Sequence, residues 1–271
     1  MPLESPKISC LTVTKDRLIA LKTAIRCYCD QTYSEKEMVI VTDGSAWYKA
    51  AIQRYIDELG RNDIRLVAVA ETCTLGKLRN ISMAEASGKI ICQWDDDDLY
   101  HPERLSIQFE KMTSENAKAC CMTDQLQYFW EQREMCWCSW KQNELSPLHQ
   151  LIPGTIMMYK DKRFAYPETG QYSTSGEDSV FLTTIYETFP VAELSGMGHL
   201  YVYTYSGNNT FSEEHHRGIA GSYSLPSEDV WKEEEVIRNV LDYYLLPSPV
   251  KIMSRAHEIV FTWMFNYLEI V

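Results

Sequence analysis

Four consecutive aspartates, Asp95-Asp96-Asp97-Asp98, close the apolar run Ile90-Ile91-Cys92-Gln93-Trp94 and precede Leu99-Tyr100-His101-Pro102. Two unit charges ~4 Å apart repel by about 4 kcal/mol at an effective dielectric near 20. Such a cluster needs solvent, protonation or a cation. If the segment is extended, residues i and i+2 share a side, which pairs Asp95 with Asp97. A hard divalent ion, Mg²⁺ or Mn²⁺, complements such oxygen donors and keeps coordination positions open for phosphate. The competing reading is a solvated acidic loop in which Asp98 caps the next helix.

Three other places carry residues of similar interest. Leu75-Gly76-Lys77-Leu78-Arg79-Asn80 opens a helix after a strand, where unpaired N–H groups and the Lys77/Arg79 pair could meet a diphosphate. Taken alone, the motif is explained somewhat better by an ordinary amphipathic helix start. It is no Walker loop, and the Rossmann G-x-G-x-x-G does not occur. Asp43, before Gly44-Ser45, could accept a hydrogen bond from a base or ribose, or could simply make a turn. Glu177 and Asp178 follow Gly176 at a helix start, where negative charge complements the helix dipole.

The elements that would position these residues alternate regularly. Ile8 to Val13 reads as a strand, and Leu18, Leu21, Ile25 and Tyr28 as a helical stripe. Met38 to Val41 is a second strand, and Ala51, Ile52, Tyr55, Ile56 and Leu59 are a second stripe stopped by Gly60. Ile64 to Val69 is a third strand, and a helix from about Gly76 ends near Gly88. After the strand from Ile90, Pro102 opens a helix with Leu105, Phe109 and Met112. Four strands alternating with helices call for a mostly parallel sheet covered on both faces. Ligands of such sheets bind beyond the strand carboxyl ends, which is where Asp43 and Asp95 to Asp98 fall.

Later segments change character. Gln125 to Trp130 and Glu134 to Trp140 form an aromatic-rich hairpin, whose Trp130, Trp137 and Trp140 suit packing or a sugar face. A strand near Thr155 to Tyr159, a helix from Glu177 to Glu187 and a β-rich stretch from Val191 to Tyr205 follow. The final residues read as two helices, one with Val230, Val236, Val240 and Tyr243, the other with Ile252, Ile259, Trp263, Phe265 and Leu268.

At 271 residues, 45% hydrophobic and 24% charged, the chain suits a globular α/β domain. Its 26 Lys plus Arg against 38 Asp plus Glu give a net charge of −12, which disfavours nucleic acid as a partner. The nine cysteines are odd in number and sit in apolar runs, as reduced buried thiols do; Cys120, Cys121, Cys136 and Cys138 lack zinc spacing. No apolar run approaches the ~18 residues of a membrane span, and MPLESPK is no signal peptide. A cytoplasmic protein is expected, with peripheral membrane contact left open.

Taken in order, the strand Ile8 to Thr14, Val41-Thr42-Asp43-Gly44-Ser45, Gly76 to Asn80, Gln93 to Leu105 and Gly176-Glu177-Asp178 resemble the inverting family 2 glycosyltransferases of the GT-A fold. The resemblance covers about residues 7 to 215. It implies a Rossmann-like, mostly parallel sheet flanked by helices, a small antiparallel β region and C-terminal helices. It implies a GT-A domain over 1–222, with a nucleotide-binding half near 7–115 and an acceptor half near 116–222, before a helical extension over 223–271. The implied donor is a nucleotide-diphosphate sugar, UDP-sugar favoured, bound by Thr12, Asp43, Gly76, Lys77, Arg79, Asp95 and Asp96. Asp95 and Asp97 form the D-x-D motif holding Mn²⁺ or Mg²⁺, with His215 or His216 completing the metal site. Asp178 matches the catalytic base, and Glu177, Thr155 and Trp140 fall on the side of the hydroxyl acceptor, a glycan or another molecule.

The absence of Gln-x-x-Arg-Trp points to addition of a single sugar in glycan or polysaccharide assembly. A nucleotidyltransferase forming the sugar nucleotide, or an inactive sugar-binding module, are the alternatives. The C-terminal helices are available for homodimerisation, a lid or attachment to a membrane surface.

Overall fold

A computed structural model describes residues 5–142, 146–207, 209–244 and 246–265. In chain order the regular elements begin with β1 (Ile8–Val13), α1 (Leu18–Cys29), β2 (Lys36–Thr42), α2 (Ala46–Leu59), β3 (Ile64–Ala68), α3 (Leu75–Glu85) and β4 (Ile90–Gln93). They continue with β5 (Leu99–Tyr100), α4 (Arg104–Ser114), β6 (Ala119–Met122), β7 (Asp124–Phe129), β8 (Glu134–Ser139), β9 (Met157–Tyr159) and α5 (Glu177–Tyr186). The last are β10 (Val191–Leu194), β11 (Tyr201–Tyr205), α6 (Glu213–Tyr223), α7 (Ser227–Lys232), α8 (Glu234–Tyr244), β12 (Val250–Met253) and β13 (Ile259–Trp263).

The chain divides into two compact units that are not consecutive. The first comprises Met1–Asp98, Pro102–Cys121 and Ile152–Leu194; the second comprises Leu99–His101, Met122–Leu151 and Ser195–Val271. This differs from the expected boundary near residue 222, because the chain leaves the first unit and returns to it.

The first unit holds a seven-stranded sheet in the order β10-β6-β9-β4-β1-β2-β3. Its β1, β2, β3 and β4 run parallel, as the alternating pattern requires, and β9 joins antiparallel against β4. The central strands are apolar and buried along their length: every residue of β1 is buried, as are Met38 to Thr42 of β2. That is what burial of both sheet faces demands. Helix α1 buries Leu21, Ala24, Ile25 and Tyr28, and α2 buries Tyr48, Ile52 and Ile56. Gly60 ends α2 at φ +62°, a left-handed C-cap. Helix α3 stops at Glu85 with Ala86 as its cap, before the expected Gly88.

A buried carboxylate fastens the opposite, amino end of this sheet. Glu37 on β2 accepts hydrogen bonds from Ser9 Oγ (2.5 Å), Ser87 N (2.6 Å), Ser87 Oγ (2.8 Å) and Gly88 N (3.2 Å). Burial opposes ionisation, but these donors hold its pKa below the ordinary glutamate value. The stabilisation is therefore present at neutral pH and is lost as pH falls through the depressed pKa. Glu37→Gln turns one acceptor into a donor facing donors, and urea unfolding at pH 7 is expected to show a loss of about 2 kcal/mol. The gap between variant and parent should narrow below pH 4.

The second unit is built on a six-stranded sheet in the order β13-β12-β8-β7-β11-β5. The expected hairpin is β7 and β8, paired antiparallel from Asp124↔Ser139 to Phe129↔Glu134. Of the two expected C-terminal helices only the first forms, as α7 and α8. The second is corrected to the hairpin of β12 and β13, with β12 parallel to β8. Ile252, Ile259 and Trp263 lie on those strands; Leu268 lies outside the described residues. Among the described residues no helix is long and apolar enough to cross a membrane.

Candidate active site

Three parallel strands of the first unit release their chain at the same sheet edge. Thr14 to Arg17 leave β1, Asp43 leaves β2, and Asp95 to Asp98 leave β4. The first two turns are tied together: Asp16 sits at φ +53° and its Oδ1 accepts from Ser45 Oγ at 3.1 Å. Ser45 in turn caps α2, accepting from Tyr48 N at 3.2 Å. The side chain of Asp43 is fully buried. Its Oδ2 accepts from Cys73 N at 3.0 Å, and its Oδ1 lies 3.2 Å from Lys15 Nζ.

The acidic run does not continue as an extended strand. Asp96 and Asp97 form a turn, so the expected same-side pairing of Asp95 and Asp97 does not arise from strand geometry. Charge decides the arrangement instead. Asp96 is 1% exposed, with Oδ2 accepting from Thr14 Oγ1 (2.5 Å) and Oδ1 from Arg17 Nη2 (2.6 Å). Thr14 also bonds the hydroxyl of Tyr48. Arg17 spends its other arm, Nη1, on Asp97 Oδ2 at 2.6 Å. Burial pushes both carboxyls above the ordinary aspartate range, helped by the charge of Asp97 on Asp96 and of Asp95 on Asp97, while Arg17 pulls them back.

Asp95 belongs to a second ion-pair chain. Arg79, 8% exposed, places Nη2 3.0 Å from Asp95 Oδ1 and donates through Nε to Glu177 Oε1 at 2.7 Å. The other oxygen of Asp95 accepts from Gln93 Nε2 at 2.9 Å, and Gln93 Oε1 accepts from the Tyr166 hydroxyl at 3.2 Å. Tyr166 stacks on Phe181 of α5 at 4.0 Å between ring centres. The carboxyl end of β4 is thereby coupled to the head of α5, where Asp178 stands. Asp178 Oδ1 accepts from Ser179 N at 2.7 Å. Burial, with the nearby Glu177 carboxylate, pushes its pKa up to about 6 against the opposing pull of Arg79.

Other expected residues have structural tasks. Gly76 is buried where an added Cβ would run into the Pro167 carbonyl, so it serves a close backbone approach. Thr74 caps the start of α3 and Glu168 lies over it, bonded by Thr74 Oγ1 at 3.0 Å, while Lys77 is exposed. Thr12 is buried and donates to the Trp94 carbonyl at 2.7 Å. Thr155 is likewise buried, its hydroxyl donating to the Ile152 carbonyl at 2.7 Å, so neither threonine presents a surface to a ligand. Glu177 is 2% exposed and engaged by Arg79, which corrects its expected place among acceptor contacts.

In the second unit, Trp140 stacks on Tyr223 at 5.1 Å and Trp137 is buried, in line with packing. His216 on α6 is fully buried beside Tyr203 (4.6 Å) and Tyr205 (4.9 Å), with Nδ1 3.2 Å from Gln127 Nε2. Burial lowers its pKa to about 4, so the ring is neutral. As placed, it is a core histidine, which corrects its expected role as a ligand. His215 is exposed and stacks on Phe211 at 4.3 Å.

Sequence reading missed Thr14, Lys15, Arg17 and Tyr48. The signal was present: Thr14-Lys15-Asp16-Arg17 leaves β1 at the same kind of strand end that singled out Asp43. Carboxylates at strand ends stand out more than the cations Lys15 and Arg17 that face them.

Among the described residues no group of three or more His, Cys, Asp or Glu side chains is arranged to hold an ion. The donor chemistry nonetheless suits a hard cation, since Asp95 and Asp97 supply carboxylate oxygens and their side chains are 22% and 16% exposed. Arg17 and Arg79 carry the compensating charge in the arrangement observed.

Solved GT-A glycosyltransferases share this architecture. A Staphylococcus aureus TarS structure (residues 1–349, with UDP) matches at TM-score 0.60 and 17% identity, covering 88% of this chain and 80% of that one. The Pyrobaculum calidifontis mannosyltransferase PcManGT, solved with GDP-Man and Mn²⁺, matches at TM-score 0.57 and 13% identity, covering 90% and 69%. In sequence, the chain is 34% identical over 105 residues to WcaA of Escherichia coli (strain K12), named for colanic acid biosynthesis glycosyl transferase function. That match spans 38% of this chain and 37% of the relative's length. The glycosyl transferase family 2 model matches residues 9–166, more than half of the chain. The protein has the GT-A fold. It belongs to glycosyl transferase family 2.

Proposed function

We propose that this glycosyltransferase moves one sugar, with inversion, from a nucleotide-diphosphate sugar to an acceptor hydroxyl, aided by a divalent cation. The observation that carries this reading is the Asp95–Arg79–Glu177 chain, which couples the acidic turn at the end of β4 to the helix bearing Asp178.

Asp178 is suited to take the proton of the acceptor hydroxyl as that oxygen attacks the anomeric carbon. Its raised pKa makes it a stronger base than an ordinary aspartate while leaving it ionised at neutral pH. Asp43, whose carboxylate is held by Cys73 N and Lys15, marks the end of β2 at which the base or ribose is expected, and a UDP-sugar is the favoured donor; both TarS–UDP and TarS–UDP-GlcNAc complexes are known for the fold. Asp97 and Asp95 would hold Mn²⁺ or Mg²⁺, which when bound offsets the charge of the departing diphosphate. The acceptor is assigned only as a hydroxyl compound, with glycan assembly suggested by the WcaA likeness.

The test is incubation with a panel of nucleotide sugars and Mn²⁺, reading nucleoside diphosphate release and the anomeric configuration of the product by NMR. Release with an inverted product supports the proposal; pyrophosphate release from a nucleoside triphosphate and a sugar phosphate would replace it with nucleotidyl transfer. The pH profile supplies a further expectation. Because the base must be ionised, kcat should climb about tenfold per pH unit below pH 6 and level off above about pH 7.

A further inference from the structure

Arg17 divides its two arms unequally. Nη2 holds Asp96, which is 1% exposed and also fixed by Thr14; Nη1 holds Asp97, whose side chain is 16% exposed. The first contact is sealed inside the fold and has a second donor to keep it in place. The second lies at the accessible side of the turn, where competing ions and ligands can reach. Arg17 itself is about one quarter exposed, its side chain at 27%. Its planar fork suits carboxylate and phosphate oxygens equally, so one arm can change partner while the other stays.

We propose that Arg17 is a resident counter-cation of the acidic turn that exchanges with a divalent ion. It stays hinged on Asp96, releases Asp97 to the incoming ion, and turns the freed Nη1 arm to the diphosphate of the donor. This rests on the metal-assisted reading above and adds a coupling to it: ion uptake prepares an arginine for donor phosphate. The charge count supports the exchange. With Arg17 paired, one negative charge remains on Asp96 and Asp97; a divalent ion on Asp97 would turn that into one positive charge, which a new anion, the diphosphate, would offset by arriving beside it. A purely structural Arg17 would instead hold Asp97 in both states, and its loss would weaken every ligand alike.

The two roles predict opposite signs for one measurement. Mn²⁺ uptake without nucleotide is titrated by the loss of the free-ion EPR signal, and UDP binding at saturating Mn²⁺ is followed by calorimetry. In Arg17→Gln, Mn²⁺ alone should bind about fivefold more tightly, because its competitor for Asp97 is gone. UDP at saturating Mn²⁺ should bind about tenfold more weakly, because the phosphate contact is gone. Arg17→Lys, which can keep only one of the two contacts at a time, should fall between parent and Gln in both titrations. Mn²⁺ binding that is unchanged or weakened in a folded Arg17→Gln protein would overturn the exchange. Should both variants fail to fold, the parent protein decides: the Arg17 guanidinium NMR signals must shift on adding Mg²⁺ and again on adding UDP, and constancy through both additions overturns it. A parent that takes up neither Mn²⁺ nor UDP would instead remove the functional reading on which the exchange rests.

Discussion

Replacing Asp178 by Asn is expected to lower kcat by at least ~100-fold while leaving nucleotide-sugar affinity within about threefold of the parent. The amide keeps the shape and the Oδ1 acceptor that Ser179 N uses at 2.7 Å, so α5 should start as before. What disappears is the group able to accept a proton. Removing that carboxylate also relieves its repulsion with Glu177, so the variant should be no less stable than the parent. Calorimetric titration with donor, set beside steady-state turnover, separates the two effects. Wild-type turnover in a folded Asp178→Asn protein would reassign the base. Equal losses in binding and turnover would instead make Asp178 a donor contact.

The second large effect is on stability. Arg79 pairs with both Asp95 and Glu177, and it is almost wholly buried. Arg79→Met would fill much of the volume but remove a cation shared by two carboxylates, one of them 2% exposed. Removing one partner of a buried ion pair costs about 3–5 kcal/mol, chiefly as the uncompensated charge left behind. For a chain of this size that corresponds to a fall in melting temperature of roughly 10 °C at neutral pH. Adding Glu177→Gln to Arg79→Met should recover part of the loss, since the amide carries no charge to bury. A fall of less than about 3 °C in Arg79→Met would show that the chain from β4 to α5 is not held by this arginine.

The parts of the fold that were readable from sequence are those whose pattern is local. From β1 to β4, each strand is a short apolar run and each helix a stripe at helical spacing, so partner and element type follow from one window of sequence. The C-terminal hairpin was misread for a definite reason. Ile252, Ile259 and Trp263 are seven and four residues apart, which fits one face of a helix. The same spacing is met by β12 and β13 with a turn between them, where His257 takes φ +58°. What selects strands is pairing of β12 with β8, more than a hundred residues earlier, and no local window contains that partner.

The site divides in the same way. Asp43 and the acidic run were found because carboxylates at strand ends stand out. Arg17 was not found, and Arg79 was read as a diphosphate contact and not as the partner of Asp95 and Glu177, because Arg17 meets Asp96 across 79 residues and Arg79 meets Glu177 across 98. Burial also redistributes roles that residue type alone suggests. Thr12, Thr155 and His216 have the right chemistry for ligands, yet their polar atoms face the interior of their own units. Asp178 was singled out by resemblance and by its place at a helix start; its elevated pKa comes from burial and from Glu177 beside it, and neither magnitude can be read from the string Gly176-Glu177-Asp178.

Binding of an activated sugar through a cation at the end of β4 is the claim from which the rest follows, and melting curves test it most directly. The parent protein is heated with each of a panel of nucleotide sugars, UDP-GlcNAc and GDP-mannose among them, in Mn²⁺ and separately in EDTA. The account predicts that at least one nucleotide sugar, at about 100 times its Kd, raises the melting temperature by roughly 5 °C in Mn²⁺, and that EDTA abolishes the rise. Melting temperatures unmoved by every nucleotide sugar in Mn²⁺ would contradict it.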